Sequence, residues 1–273
     1  MKKAFKIARR QRGFSLLEMI FVLLILALVL GVVFSEIDLT QKSYQAEGMK
    51  LDLTQGSRIF MNQIGRDLHN AGYPTKGMFN PTLVSPALQS PVQNDSRIAA
   101  GLVKAAYDEL WFEGDVTGNG TVWVVDYKLL PNPITGGCPC TIVRSQIPKI
   151  NGNPLTGQSS PQYSTILSDV INSGGANGAA SDTAAYAVTG SSTTVTGTTR
   201  TNDSLFSSYK SANVFTYYDV SGNEITPTNI SGSTISNIST VQINVNVLAP
   251  HADLQTGMPP VMSYSVAVHL PVQ

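Results

Sequence analysis

Residues 14–34 read FSLLEMIFVLLILALVLGVVF, an apolar run of 21 residues that carries one charge, Glu18, and no proline. A helix of that length rises about 30 Å, the depth of a bilayer's hydrocarbon core. Upstream stand Lys2, Lys3, Lys6, Arg9, Arg10 and Arg12, with no acid before Gly13. Positive charge flanking an apolar span stays on the cytoplasmic side, so the span is expected in the inner membrane with the remainder outside the cytoplasm. A conventional secretory signal places its small-residue cleavage site after the apolar run. Here the small residue, Gly13, comes before it.

Glu18 is the anomaly of this segment. A carboxylate within an apolar span costs roughly 2.5–3.5 kcal/mol on insertion scales, which marks it as functional unless it reaches the headgroups. A cut after Gly13 would expose an α-amino group on Phe14. That amine on one subunit and Glu18 on a neighbour could neutralise each other in a low dielectric and set an axial register. An ordinary signal anchor with Glu18 snorkelling to the interface is the competing explanation.

Arg12-Gly13-Phe14-Ser15-Leu16-Leu17-Glu18, between a basic leader and an unbroken apolar run, resembles the type III signal of type IV prepilins and type II secretion pseudopilins. The resemblance implies cleavage between Gly13 and Phe14 by a prepilin peptidase, N-methylation of Phe14, a buried assembly role for Glu18, and other pilins as filament partners.

Six of the 18 basic residues lie in the leader, so residues 14–273 carry 12 basic against 18 acidic residues, a net of −6. That sign offers no overall attraction to nucleic acid, and none is expected as a partner of the head. Beyond Phe34, Leu39, Ala46, Met49, Leu53, Phe60, Ile64, Leu68 and Ala71 form a stripe in steps of three and four, with Lys42 and Ser57 filling two of its positions. This is the period of an amphipathic helix. Gly72-Tyr73-Pro74 supplies its stop. The spacing predicts one helix over 14–72, roughly 88 Å long. Its end, Arg66-Asp67-Leu68 followed by Ala71-Gly72-Tyr73, resembles PilW-type minor pilins and, more loosely, J-type minor pseudopilins. Arg66 and Asp67 are adjacent and do not face each other on a helix, so their roles stay open.

Residues 75–106, with Pro81, Pro86 and Pro91, are expected to be loop with a short element or two. Strand patterns follow at Leu110–Phe112, Thr121–Leu130 and Thr141–Ile147, a three-strand meander. A second block covers Asn213–Asp219, Ile235–Leu248 and Met262–Leu270. In it Val241, Ile243, Val245 and Val247 alternate with Gln242, Asn244 and Asn246, the pattern of a strand with one buried face. The expected fold is α+β and type IV pilin-like, an antiparallel sheet laid across a long N-terminal helix. The organisation is a leader at 1–13, a transmembrane or filament-core helix at 14–34, a stalk at 35–72 and a head at 73–273. Residues 149–212, rich in Ser, Thr, Gly, Ala and Asn, are read as an insertion or long loop in that head.

Asp115, Thr117, Asn119, Gly120 and Asp126 match the first, third, fifth, sixth and twelfth positions of a calcium-binding loop. The segment joins two strands rather than two helices, and Asp-Val-Thr-Gly-Asn-Gly equally suits a hairpin turn, which is preferred. No cofactor is otherwise expected. Cys138 and Cys140 flank Pro139, and an oxidising compartment allows them to pair, although the bridge closes a very small ring. His69, His251 and His269 have neither metal-ligand nor nucleophile spacing, and no phosphate-cradling glycine loop opens a helix, so no catalytic residue is assigned. The resulting expectation is a minor pilin that helps initiate or cap a type IV pilus, reaching the cell surface near the pilus tip. The alternatives are a J-type minor pseudopilin of a type II secretion system, and a pilus-tip adhesin or membrane-anchored binding module using residues 149–212.

Overall fold

Helix α1 runs from Leu16 to His69 without a break. The structure is a computed structural model that describes residues 15–80, 95–131, 138–153, 157–172, 193–195, 198–200, 209, 211–226, 235–250, 253 and 258–271. The chain divides into two compact units, one ending at Glu47 and the other starting at Gly48. In the first unit, the carbonyl of Ser15 accepts the first helical bonds from Glu18 N and Met19 N at 3.0 and 3.2 Å. Asp38 and Lys42, four residues apart with the acid leading, form an ion pair of 2.6 Å.

The second unit begins with the C-terminal part of α1. Here the apolar stripe becomes core: Met49 and Leu53 are half-buried, whereas Ser57, Phe60, Ile64, Leu68 and Ala71 are buried. The helix stops slightly before the expected residue 72. Asn70 N and Ala71 N tighten the last turn by bonding to the carbonyls of Asp67 and Leu68, and Gly72 takes a left-handed φ of 83°.

The strands that follow are β1 (Gly101–Ala105), β2 (Glu109–Gly114), β3 (Trp123–Leu130), β4 (Cys140–Pro148), β5 (Tyr163–Val170), β6 (Thr193–Val195), β7 (Thr198–Arg200), β8 (Phe215–Tyr218), β9 (Glu224–Ile225), β10 (Thr240–Leu248) and β11 (Val261–His269). Among the described residues, nine of them form one antiparallel sheet in the order β1-β2-β3-β4-β5-β10-β8-β9, with β11 also on β10; β6 and β7 pair only with each other. Strand β11 matches β10 along its whole length, so β5 and β8 must share the opposite edge of β10, at Val247 and at Thr240–Ile243 respectively. The sheet curls until β8 meets the β1–β2 turn, where Phe215 N and the Tyr217 hydroxyl donate to the carbonyls of Tyr107 and Ala106. Inside the curl, Phe60, Ile64 and Leu68 of α1 pack among Leu110, Phe112, Tyr127 and Ile142. Phe60 meets Tyr127 edge-on at 6.2 Å, and Phe112 stacks on Tyr127 at 6.3 Å.

The architecture is α+β, as expected, and the three-strand meander is β2-β3-β4. Strand β1 is a short element of the kind expected within 75–106, whereas strands β5, β6 and β7 depart from the expectation of a long loop at 149–212. Strand β1 contains alanine, and a register shift between Leu102 and Lys104 interrupts its alternation. Strand β5 lies within 149–212 and joins the two halves of the sheet, pairing with β4 on one side and β10 on the other. Its YSTILSDV sequence has few large apolar residues because its first half lies exposed, and only Leu167 and Val170 are buried. Just after β5, Asn172 is wholly buried and acts as a clip: its amide donates to the carbonyls of Ala212 and Asn244 and its oxygen accepts Asn246 N at 2.6 Å.

Candidate functional site

Every large apolar side chain from Leu16 to Leu39 is at least 44% exposed. This is the one helix among the described residues long and apolar enough to cross a membrane. Soluble monomers rarely expose contiguous apolar patches beyond a few hundred Å², so lipid or other helices must cover this surface. Glu18 lies exposed in the first turn of α1, where the unpaired N–H groups and the helix dipole favour an acid. Ser15 and Glu18 also have the spacing of a capping box. Local helix chemistry thus suits Glu18 at this position, alongside any role between subunits. Gly13 and Phe14, the expected cleavage pair, lie outside the described residues.

Residues 8–34 match the family model for the prokaryotic N-terminal methylation motif. The chain carries the type IV prepilin and pseudopilin signature. In a prepilin this motif implies processing by a prepilin peptidase and assembly with other pilins, and the apolar helix fits membrane anchoring. No curated protein and no solved structure gives a significant match to this chain.

The head is fastened to the end of the stalk at two places that the sequence left unassigned. The first is Asp67. Its Oδ2 accepts bonds from the Tyr127 hydroxyl at 2.6 Å and Arg144 Nε at 2.9 Å, and pairs with Arg144 Nη2 at 2.8 Å. Tyr127 and Arg144 are direct partners across β3 and β4, so one helix carboxylate grips two strands. Burial, and then the Asp67 charge, push the Tyr127 phenol well above its ordinary range, so it remains a donor. Arg66, by contrast, stays exposed, and among the described residues it bonds back to its own helix at the Asn62 carbonyl. The second is the Ala71-Gly72-Tyr73-Pro74 segment. Ala71 bridges Gly114 at the end of β2, Gly72 N donates to the Glu113 carbonyl, and Asp115 N donates to the Tyr73 carbonyl, both at 2.8 Å. A Cβ on Gly114 would fall onto the Asn70 carbonyl oxygen, so this close approach admits only glycine.

The residues matched to a calcium loop divide between two places. Asp115 Oδ1 accepts from Thr117 N and Oγ1, Gly118 N and Asn119 N, while Oδ2 accepts Gly120 N at 2.6 Å. Burial alone would raise this carboxyl; the ring of donors outweighs it and holds the group below its ordinary range. Asn119 closes the same turn on Thr121 N, and Gly118 and Gly120 take φ values of 71° and 83°. Asp126 lies elsewhere, opposite Trp111 on β2. That is four positions back along the chain from Asp115, or about 13 Å of strand. Among the described residues, no group of three or more His, Cys, Asp or Glu side chains could hold a metal ion. Cys138 and Cys140 are joined in a disulfide at the start of β4, and both are buried.

Asp126 is instead part of a rung on the sheet's other face, where Lys104, Trp111, Asp126, Ser145 and Tyr163 stand opposite one another across β1 to β5. Burial pushes its carboxyl up to about 7; the hydrogen bond from the Tyr163 hydroxyl opposes this, and Glu109 adds to it. A carboxyl raised in the fold contributes stability below its unfolded value, near 4, and loses that contribution as pH climbs to about 7. Asp126→Asn should therefore match the parent near pH 4 and be more stable by about 2–4 kcal/mol at pH 8. Urea denaturation across that range tests this; a gap independent of pH would show that Asp126 ionises normally.

Proposed function

We propose that the chain is a minor pilin of PilW type, cut between Gly13 and Phe14, N-methylated on Phe14, and built into a type IV pilus near its tip. The observation that carries this reading is the position of Glu18. It is the only charge in the 14–34 run, and it lies on the part of the helix, Leu16 to Leu39, whose large apolar residues are exposed all round. A lone acid there favours a partner that proteolysis supplies, the Phe14 amine of a neighbouring subunit. Lipid contacts hold the subunit in the inner membrane; assembly exchanges them for helix–helix contacts, with Glu18 fixing the register. The Ala-Gly-Tyr end of the stalk supports the PilW assignment, and a head of about 200 residues supports a specialised subunit rather than a repeating one. The reading assigns the chain a structural role and no catalysis.

Glu18→Ala should leave membrane insertion intact and reduce recovery in sheared pili by about tenfold or more, equivalent to ~1.4 kcal/mol of lost subunit pairing. Unchanged recovery would overturn the register mechanism. Amino-terminal sequencing of the native protein should begin at a methylated Phe14, and a start at Met1 in cells with an active peptidase would overturn the prepilin reading itself. Co-purification with a secretion pseudopilus instead of a pilus would reassign the chain as a J-type pseudopilin.

A further inference from the structure

Among the described residues the sheet ends in three strands, and two of them carry features that discourage a further strand from adding. Strand β1 is five residues long, contains Lys104 and has the register shift noted above. Strand β9 has two residues, one of them Glu224. The stretch of β5 that β10 leaves uncovered is interrupted at Asp169, whose φ is 59°. Strand β11 has none of these features. It runs nine residues, VMSYSVAVH, without Asp, Glu, Lys, Arg or Pro, and it matches β10 without a register shift. Leu270 N donates to the Ser239 carbonyl at one end of that ladder, and Ala249 N to the Pro260 carbonyl at the other. Antiparallel pairs alternate between those that exchange backbone bonds and those that do not. The exchanging pairs are therefore Val241–Val268, Ile243–Val266, Val245–Tyr264 and Val247–Met262. Ser263, Ser265 and Ala267 turn their N–H and C=O groups away from β10. All three residues are exposed, and among the described residues no hydrogen bond reaches those groups.

A row of unpaired backbone donors and acceptors is completed by another extended chain. The side chains say what that chain must carry. Met262, Tyr264, Val266 and Val268 stand opposite the buried Val247, Val245, Ile243 and Val241 of β10, so they share the inner face. Of the four, Val268 is buried, while Met262, Tyr264 and Val266 are half-buried, as side chains with a strand on one side only. An added strand would cover them with its own alternate residues, which must be apolar. Its intervening residues, beside Ser263, Ser265 and Ala267, would face water. We propose that the free edge of β11 receives such a strand from a different subunit of the filament. Two β11 edges paired about a two-fold axis would close on themselves, whereas a filament grows by contacts that leave an edge for the next subunit. The edge stands on the head alone; the identity of the donor rests on the filament reading above.

Hydrogen exchange on the full chain in detergent micelles tests the edge. The probe is a peptide of alternating Thr and Val, as long as β11, with a lysine at each end; the control replaces each Val by Glu. The valine peptide should slow exchange at Ser263, Ser265 and Ala267 by about tenfold or more and leave the β1 amides unchanged. Ala267→Pro removes an outward N–H and no bond to β10, a position where an edge strand accepts proline. It should abolish the protection; should that variant misfold by circular dichroism, Ser263→Pro takes its place. Absence of protection by the valine peptide overturns the proposal, as does equal protection by the glutamate peptide or protection that survives the proline. In cells, a photo-crosslinking amino acid at Ala267 identifies the donor, and an adduct with another protein bearing the prepilin signature is expected. No adduct, or adducts only with a second copy of this chain or with a protein lacking that signature, would overturn the donor's identity. The filament reading is tested separately, by the recovery of Glu18→Ala and by the amino terminus of the native protein.

Discussion

Asp67→Ala should destabilise the head by about 3–5 kcal/mol, because it removes one partner of a largely buried pair and leaves the other charge stranded. Arg144 is only 13% exposed as a side chain and Asp67 11%, so water cannot readily replace what is lost. The Tyr127 hydroxyl would lose the acceptor at 2.6 Å, keeping only its contact with Arg144 Nε at 3.1 Å. The cost is concentrated where α1 meets β3 and β4, so the helix should detach from the sheet before the sheet itself melts. Urea denaturation of the full chain, with hydrogen exchange at Phe60, Ile64 and Leu68, would register both effects. Arg66→Ala on the same turn is the control: its side chain is exposed, and a change within about 0.5 kcal/mol is expected. A double-mutant cycle between Asp67 and Arg144 should return a coupling of about 1–3 kcal/mol. Coupling near zero would mean that packing, not the ion pair, holds the joint.

Gly114→Ala is the second large effect, expected at about 2–4 kcal/mol from a single added methyl group. The new Cβ would collide with the Asn70 carbonyl oxygen and come within 2.9 Å of the Asn70 carbonyl carbon, and both belong to backbone that no rotamer change can move. Relief requires breaking the Ala71–Gly114 bridge and with it the Gly72 N to Glu113 bond. Gly118→Ala makes a useful contrast. Nothing lies within 4 Å of its Cβ, so only its positive φ is penalised, at about 1 kcal/mol. Equal losses in the two variants, measured as denaturation midpoints, would exclude the clash.

These two positions show where sequence reasoning stops. The anchor, the stalk period and the strands β2, β3, β4, β10 and β11 were legible because each carries a repeating apolar pattern that burial requires. In β10, Val241, Ile243, Val245 and Val247 are all buried, as their alternation demands. Asp67 was visible only as half of an adjacent Arg-Asp pair; its partners are 60 and 77 residues away, and no local period encodes them. Gly114 looked like an ordinary strand end, since the constraint on it comes from the backbone of another element. Strand β5 was hidden because a half-exposed strand needs few apolar residues, and its Ser and Thr resembled the loop around it. For Asp126, a match to ligand spacing drew attention to the wrong neighbours. Its place between Val125 and Tyr127 in a strand was the better clue, since an acid at the outward position opposite a tryptophan lies on a covered face.

The shared edge of β10 also dictates how the low-complexity region can be trimmed. Excising 149–212 as a block would remove the plank that bridges β4 to β10, and with it the Asn172 clip, so a loss of adhesion would report only a broken head. The excision that keeps both described contacts, the Asn172 clip and the Tyr209 carbonyl that accepts the Asn246 amide, begins after Asn172 and ends before Tyr209. Among the described residues of that window, β6 and β7 pair only with each other, so their removal takes no described rung from the sheet.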